Sequence, residues 1–156
     1  MTALRLKGIY YELTLYMDLW NNEILSYSLS ARRGDRMTYI CGLNDLLSIK
    51  QMYPEMEMIL HTDQGSVYAS KSFNELLPLY NIVHSMSRAG TPTDNAAMEA
   101  INGWIKAEIY SEGWHRRYDT AEEMITAYVD YYNNERPAYA LQYKSPVQFR
   151  TEMGFA

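Results

Sequence analysis

Residues 56–65, Met-Glu-Met-Ile-Leu-His-Thr-Asp-Gln-Gly, decide the fold of this chain, because an apolar run ends there in an acidic residue and a glycine. The run at residues 56–61 predicts a short buried strand. Gly65 allows the backbone to bend directly after it. Asp63 therefore stands where a strand gives way to a turn. Carboxylates can hold the divalent metal ions used in phosphoryl transfer, so Asp63 is the first candidate functional residue.

A second acidic candidate, Glu99, is separated from Asp63 by 35 residues. It lies at the start of a helical pattern, one turn after Asp94, which is the predicted N-cap. Direct participation of Asp94 in the chemistry is the alternative interpretation. Asn102 and Lys106 follow Glu99 at spacings of three and seven, so the three side chains share one side of the predicted helix.

The other periodic segments surround these two acids with alternating strands and helices. Strands are predicted at residues 2–6, 9–17, 23–30, 56–61 and 81–85, and helices at residues 37–53, 70–79, from 94, at 120–133 and after 146. A tight turn at Lys7-Gly8 joins the first two strands. This order is typical of a ribonuclease H-like α/β fold, with a mixed five-stranded sheet and helices on both faces. Such a fold would place Asp63 beside the helix that carries Glu99.

Length and composition indicate one soluble domain of 156 residues. The net charge of -5 argues against a dedicated DNA-binding domain, although a carboxylate cluster makes a catalytic core acidic by itself. No apolar stretch is long enough to cross a membrane, so no membrane partner is expected. The single cysteine, Cys41, is predicted to be a small core residue and fits a cytoplasmic protein. The fifteen tyrosines favour packing over stacking on DNA bases.

Three motifs give the two acids a specific context. Residues 61–70, His-Thr-Asp-Gln-Gly-Ser-Val-Tyr-Ala-Ser, and residues 87–99, Ser-Arg-Ala-Gly-Thr-Pro-Thr-Asp-Asn-Ala-Ala-Met-Glu, contain Asp63 and Glu99. They resemble the second-aspartate and glutamate motifs of insertion-sequence transposases with a retroviral-integrase-type (DDE) core. The spacing matches the DD(35)E signature of that family. Residues 132–137, Tyr-Asn-Asn-Glu-Arg-Pro, with Leu141 and Ser145-Pro146, resemble its C-terminal motif.

The resemblance implies a role for each matching residue. Asp63 and Glu99 would be catalytic ligands of Mg²⁺ or Mn²⁺ in a two-metal site. Lys106 would contact the DNA end, with a simple surface ion pair as the alternative. Gln64 and Arg88 would line the same site and contact nucleic acid. The implied partners are the transposon ends and target DNA, together with a second copy or a full-length transposase.

Two departures from the family pattern bear on activity. The family places its first catalytic aspartate in the first strand, and the alignment puts that position just before Met1. Asp18, at the end of the second strand, is the alternative ligand. The second departure is Ala138, where many relatives have histidine. The chain is therefore expected to be an integrase-type core over residues 1–156 that lacks the start of its first strand and the family's helix-turn-helix region.

These features predict a core for metal-dependent DNA strand cleavage and strand transfer, in DNA integration and recombination, impaired by loss of the first aspartate. The alternative is an inactive transposase fragment that acts as an oligomerisation or regulatory module. A third possibility is a plain ribonuclease H-like nuclease that acts on a hybrid or a junction. The family motifs favour the first over the third.

Overall fold

The computed structural model describes residues 1–155, apart from the side chain of Pro92. The elements follow the predicted order and are β1 (Thr2–Leu6), β2 (Ile9–Met17), β3 (Ile24–Ser30), α1 (Met37–Gln51), β4 (Met58–Thr62), α2 (Lys71–Leu76), β5 (Ile82–Met86), α3 (Ala96–Ser111), α4 (Ala121–Asn134) and α5 (Pro146–Glu152). Short 3₁₀ turns occur at Leu77–Tyr80, Pro92–Asn95, Trp114–Arg116 and Tyr139–Leu141. No helix in residues 1–155 is both long and apolar enough to span a bilayer.

The first three strands form an antiparallel meander. The predicted turn at Lys7-Gly8 is confirmed, and both residues have the positive φ angles, 48° and 82°, that two-residue hairpins require. Thr2 pairs with Leu13 in the register of this hairpin. Met1 therefore lies level with Thr14 on the neighbouring strand.

The predicted mixed five-stranded sheet is wrong. The strands form a three-stranded sheet, β1-β2-β3, and a separate two-stranded parallel sheet, β4-β5. The end of β4 and the start of β1 are close together: burial lowers the pKa of the Met1 amine, and the nearby Asp63 carboxylate raises it. β1 thus begins beside the end of β4 and leads away from it. The two strands have no stretch side by side at the ~4.8 Å spacing that a ladder requires.

Two apolar cores lie on opposite faces of the meander. Leu13 and Leu15 of β2 face the first core, and Tyr16 faces the second, because side chains alternate along a strand. The first core joins β1–β3 to α3 and α4 through Leu4, Leu6, Leu13, Leu15, Ile24, Ile101, Ile105, Ile109, Trp114, Met124, Ile125, Tyr128 and Tyr132. The second joins α1, α2 and the β4-β5 sheet through Tyr16, Leu43, Leu46, Leu47, Leu60, Tyr68, Phe73, Leu77 and Ile82.

Cys41 is exposed, so its predicted place in the core is wrong. The buried side of α1 includes Gly42, Leu43 and Leu46. At 100° per residue, Cys41 falls outside the arc that these residues define. The position of Cys41 around the helix, and not its residue type, therefore decides its exposure.

Candidate metal and nucleic-acid site

Asp63 follows the last residue of β4 and is exposed. Its Oδ1 accepts a hydrogen bond from the Gly65 amide at 2.8 Å. A Cβ atom at Gly65 would come within 2.9 Å of the same oxygen. A side chain at this position would displace the carboxylate, so glycine leaves the Asp63 side chain in its hydrogen-bonded place. Within residues 1–155, no hydrogen bond is made to Oδ2, so that oxygen is available to a ligand.

A chain of hydrogen bonds fixes the end of β4 from the side of the second core. The buried Thr62 Oγ1 lies 2.9 Å from the Asp63 carbonyl oxygen and 2.9 Å from His84 Nε2. His84 Nδ1 lies 2.7 Å from the Asn74 side-chain oxygen. The Asn74 amide nitrogen donates to the carbonyls of Tyr68 and Ser70, which fixes its orientation. We call this the Thr62–His84–Asn74 chain.

The direction of these bonds follows from donor and acceptor chemistry. The Asn74 oxygen can only accept, so His84 Nδ1 must donate to it. Burial lowers the pKa of His84, and the nearby His61 lowers it further. A neutral His84 with its proton on Nδ1 has a lone pair on Nε2, so the single proton of the Thr62 hydroxyl is shared between His84 Nε2 and the Asp63 carbonyl oxygen. The α2 segment is thereby connected through β5 to the residue before Asp63.

A second set of bonds lies on the other face of the β4-β5 sheet. His61 Nδ1 lies 3.0 Å from Ser85 Oγ, and His61 Nε2 lies 3.0 Å from Ser87 Oγ. His61 and Ser85 are direct partners in the parallel register. Both faces of the strand end are therefore held by side chains. The sequence signal for this support is the presence of polar residues inside two otherwise apolar strands.

Glu99 lies in the first turn of α3 and is exposed. Among the described residues, none forms a hydrogen bond or an ion pair with its carboxylate. The helix is anchored further along by Ile101, Ile105 and Ile109, which are at most 1% exposed. The position of Glu99 is set by the packing of the helix body and not by bonds to its own side chain.

The predicted cap of α3 is wrong. The residue at the N-cap position is Asn95, which makes no side-chain capping bond. Asp94 instead accepts from Arg88 Nε at 2.9 Å, from Arg88 Nη2 at 2.8 Å and from the Arg88 backbone amide at 3.0 Å. These bonds hold the pKa of the Asp94 carboxyl well below its usual range. A guanidinium fork with a backbone amide satisfies a carboxylate better than one helix N–H does.

The predicted DNA-contact residues lie near the two acids in chain or in space. Gln64 follows Asp63 and is exposed. The side chain of Arg88 is 78% exposed while it binds Asp94, so it keeps a free edge. Lys106 is half-buried and forms no ion pair within residues 1–155, so the ion-pair alternative is not supported.

Asp63 and Lys106 converge on the start of β1. The pKa of the Met1 amine is lowered by burial, raised by Asp63 and by Glu12, and lowered by Lys106. Each of these groups must therefore lie within electrostatic range of Met1. Asp63 at the end of β4 and Lys106 of α3 thus both lie near the Met1 amine.

In the part of the chain that the structure describes, no group of three or more histidine, cysteine, aspartate or glutamate side chains could hold a metal ion. Asp18 lies in the β2–β3 turn and accepts from the Trp20 amide at 2.8 Å. Asp18 is four residues beyond Thr14, which lies level with Met1. Four residues span about 13 Å along a strand. The role of Asp18 as a substitute ligand is not supported.

The C-terminal motif contacts α3 through an ion pair between Arg136 and Glu108. Arg136 Nε lies 2.8 Å from Glu108 Oε1, and the Tyr128 hydroxyl donates to Glu108 Oε2 at 2.8 Å. The Arg136 guanidinium also lies over the rings of Trp104 and Tyr132 at 5.5 Å from each centroid. Glu108 was missed by sequence reasoning, although a glutamate beside Ile105 and Ile109 is a signal of a buried ion pair.

Two further residues of this region tie the C-terminal part to the rest of the fold. The Asn133 side chain accepts from the Ile24 amide and donates to the Ile24 carbonyl, both at 2.9 Å. Ala138 forms an isolated bridge with Lys144. The segment between α4 and α5 is thus a compact turn. These contacts tie the motif to β3 and close the chain on itself after α4.

The two carboxylates match the chemistry of a divalent metal. Mg²⁺ prefers hard oxygen ligands and is commonly held by one or two carboxylates together with water and substrate phosphates. Asp63 and Glu99 offer such oxygens, and both are exposed. Carboxylate oxygens are ligands that suit Mg²⁺, and Asp63 and Glu99 together provide two carboxylates.

Comparisons with known proteins show which family this sequence resembles. Residues 80–146 match the family model described as Integrase core domain. The chain is 31% identical over 152 residues to a putative transposase, InsK, for insertion sequence element IS150 of Escherichia coli strain K12, covering 97% of this chain and 53% of the relative. It is 34% identical over 141 residues to the transposase for IS904 of Lactococcus lactis, covering 87% of this chain and 54% of the relative.

Solved structures show the same fold. The catalytic core domain of HTLV-2 integrase in complex with magnesium, in its trimeric form, matches with a TM-score of 0.69 at 19% identity, over 95% of this chain and 90% of that one. The dimeric form gives a TM-score of 0.70 at the same identity and coverage. The chain is thus homologous to insertion-sequence transposases over nearly its whole length and has the fold of retroviral integrase core domains.

Proposed function

We propose that this chain is a catalytic core for DNA strand cleavage and strand transfer with a divalent metal. The observation that carries the proposal is the pair of exposed carboxylates, Asp63 at the end of β4 and Glu99 at the start of α3, each inside a motif typical of the family. The chain spans 53% and 54% of the two transposases described above, so their complete reactions belong to longer proteins.

Each part of the site has a defined task in this proposal. Asp63 and Glu99 hold Mg²⁺ or Mn²⁺, which when bound activates the attacking oxygen and stabilises the leaving one. The Thr62–His84–Asn74 chain keeps Asp63 in place.

Three polar side chains around the acids provide contacts for DNA. Lys106 lies within electrostatic range of Met1, as Asp63 does, and supplies a cation for a phosphate of the DNA end. Gln64 and the free edge of Arg88 provide further contacts to the nucleic acid.

In this proposal, cleavage activity depends on the first aspartate of the family pattern. The described residues offer two carboxylates to a metal, and cooperating catalytic groups lose on the order of 10³-fold or more when one is removed. We therefore expect weak or no cleavage from residues 1–156 alone. Because Met1 lies near Asp63 and Lys106, a residue added before it would be placed beside the candidate site.

The test is Mn²⁺ binding by calorimetry on three proteins: the chain itself, a version extended at its N-terminus by Thr-Asp, and a matched control extended by Thr-Asn. Tight binding only in the Thr-Asp version would support a core that needs one more carboxylate. Equal binding in all three would mean that another acid completes the site, and the proposed ligand set would be wrong. Cleavage of transposon-end DNA by the Thr-Asp version, with none on RNA–DNA hybrids, would separate this function from a general nuclease.

A second candidate function is a regulatory module without activity, favoured by the set of only two carboxylates among the described residues. Such a module would form a homo-oligomer or associate with a full-length transposase in the cytoplasm. Light scattering on the purified chain and co-purification with a full-length transposase of the same family would test it. Monomeric behaviour together with failure to bind that transposase would contradict this function.

A further inference from the structure

Three exposed arginines lie in five residues between β3 and α1. The segment, Arg-Arg-Gly-Asp-Arg at residues 32–36, is called the arginine loop below. Arg32, Arg33 and Arg36 are all exposed, and none forms an ion pair with a residue that the structure describes. The chain carries a net charge of -5. Three arginines without an ion pair among the described residues are a distinct surface feature on an acidic protein.

A buried carboxylate fixes the backbone of the arginine loop. Glu12 of β2 is 4% exposed. Its oxygens accept from the Gly34 amide at 2.8 and 2.9 Å, from the Asp35 amide at 3.3 Å and from the Tyr10 hydroxyl at 2.8 Å. Burial raises the pKa of Glu12, and these hydrogen bonds outweigh it and lower the pKa below its usual value. The carboxylate of Glu12 accepts from backbone amides, so it forms no ion pair with the arginine side chains.

Other groups of the surface keep the loop in one arrangement. The Arg33 guanidinium lies 4.8 Å from the centroid of the Tyr10 ring. Asp35 accepts from Ser30 Oγ at 2.6 Å and from the Met37 amide at 3.0 Å. Arg5 is the direct partner of Tyr10 in the β1-β2 register, so its side chain lies on the same face of the sheet.

The arginine loop borders the candidate site. The pKa of Tyr39 in α1 is raised by burial and by the carboxylates of Asp63 and Glu12. The Tyr39 hydroxyl also contacts the sulfur of Met1 at 3.4 Å. Glu12, which anchors the loop, and Asp63, which carries the chemistry, therefore lie near the same tyrosine. DNA bound at Asp63 would pass close to the loop.

We propose that the arginine loop binds the phosphate backbone of duplex DNA beside the strand held at the two acids. The inference rests on the proposed function for the nature of the ligand. A guanidinium presents a planar fork of N–H donors that matches phosphate oxygens. Contacts of this kind position the duplex and carry no sequence information. The arginine loop supplies local positive charge for DNA on a chain whose net charge is negative.

The test compares binding of a duplex by the full chain and by the variant Arg32→Gln/Arg33→Gln/Arg36→Gln. Fluorescence anisotropy is measured without divalent metal over a series of salt concentrations. Each phosphate neutralised contributes about 0.9 to the slope of log K against log salt, so the variant slope should fall by roughly 2.7. The affinity at low salt should fall by at least about tenfold.

A matched control removes three cations elsewhere, in Lys71→Gln/Arg116→Gln/Arg117→Gln. This variant should keep the slope of the unmodified chain. Equal losses in the two triple variants would reduce the effect to net charge and overturn the proposal. An unchanged slope in the loop variant, or no duplex binding by the unmodified chain, would also overturn it. Circular dichroism on each variant establishes that the fold is kept.

The two proposals fail in different ways. If the slope depends on the loop but the Thr-Asp extended protein cleaves no DNA, the catalytic function is wrong and the loop still binds DNA. If the extended protein cleaves DNA and the loop variant binds it with the same slope, only the role of the loop is wrong.

Discussion

The two candidate catalytic acids are supported in different ways. The strand end that carries Asp63 is held by hydrogen bonds on both faces, from His84 through Thr62 and from Ser85 and Ser87 to His61. The helix start that carries Glu99 has no side-chain cap, and its support lies in the apolar stripe of α3. Local bonds place the first acid, and distant packing places the second. Damage to the two should therefore arise from different parts of the molecule.

The largest expected effect is the loss of strand cleavage when either acid is removed. The two acids are supported differently, but both have the same proposed chemical role. In the Thr-Asp extended protein, Asp63→Asn and Glu99→Gln should each lower Mn²⁺-dependent strand cleavage on the order of 10³-fold, because each removes a ligand of one cooperating set. The measurement is single-turnover cleavage of labelled transposon-end DNA. Loss in only one of the two variants would mean that the other acid is not a ligand.

The distant support of Glu99 depends on the ion pair between Arg136 and Glu108, whose side chains are 18% and 17% exposed. Arg136→Gln leaves the Glu108 charge unpaired. It should lower the free energy of unfolding by about 2–3 kcal/mol, somewhat less than the loss in a fully buried pair. Urea titration measures the change.

The matched control for the ion pair is Lys71→Gln, which breaks the exposed pair with Glu75. It should change the free energy of unfolding by less than about 0.5 kcal/mol. Similar losses in the two variants would show that the pair of Arg136 and Glu108 does not hold α3.

The local support of Asp63 is tested at Thr62, which is 5% exposed. Thr62→Val keeps the shape and removes the hydroxyl, so that the Asp63 carbonyl and His84 Nε2 lose a partner. The free energy of unfolding should fall by about 1–3 kcal/mol, and Mn²⁺ binding by the extended protein should weaken.

A matched buried threonine lies on β2. Thr14 is 0% exposed, and its hydroxyl has no hydrogen-bond partner among the described residues. Thr14→Val should be neutral or stabilising by up to about 1 kcal/mol, because an unsatisfied polar group is removed. A loss in both variants would point to packing and not to the hydroxyl of Thr62.

The N-termini of α3 and α4 also differ in their local hydrogen bonds. Thr120 and Glu123 form a reciprocal capping box at α4, whereas Asn95 makes no capping bond at α3. Thr120→Ala should destabilise the protein by about 1 kcal/mol, and Asn95→Ala should have an effect near zero. Thermal unfolding of both variants gives the comparison. Equal effects would show that the first turn of α3 is capped in solution.

The smallest expected effect is a dependence on pH. Burial lowers the pKa of His84 in the folded state, so the unfolded chain binds the proton more readily. The stability contributed by neutral His84 is present above its unfolded pKa of about 6.5 and is lost as pH falls towards its lower folded value. NMR titration of the imidazole resonances should give His84 a pKa below 6.5. A value at or above it would contradict the proposed direction of the Thr62–His84–Asn74 chain.

Local patterns predicted much of this molecule. The order of the elements, the turn at Lys7-Gly8 and the cap at Thr120 follow from short-range propensities, and the structure has all three. The turn at Lys7-Gly8 also fixes the β1-β2 register, because a two-residue hairpin loop allows only one pairing of the two strands. Asp63 and Glu99 were found through motif resemblance, since two acids alone carry little information.

The features that sequence reasoning missed depend on partners distant in the chain. Asp94 has the right residue type for a cap, but Arg88 competes for it. Glu108 pairs with Arg136 across 28 positions, which no helical or strand period reports. The separation of the two sheets depends on where β1 begins in space relative to β4, which the order of elements does not specify.

The first core also has a consequence for synthesis of the protein. It joins Leu4 and Leu13 of the meander to Ile105 and Ile109, about 100 positions later in the chain. Hairpins form in microseconds, so the meander can fold as soon as it leaves the ribosome. At roughly 5–20 residues per second, its covering helices follow about 5–20 s later. A nascent chain therefore presents an uncovered apolar sheet for seconds, which makes it a client for chaperones that bind exposed strands.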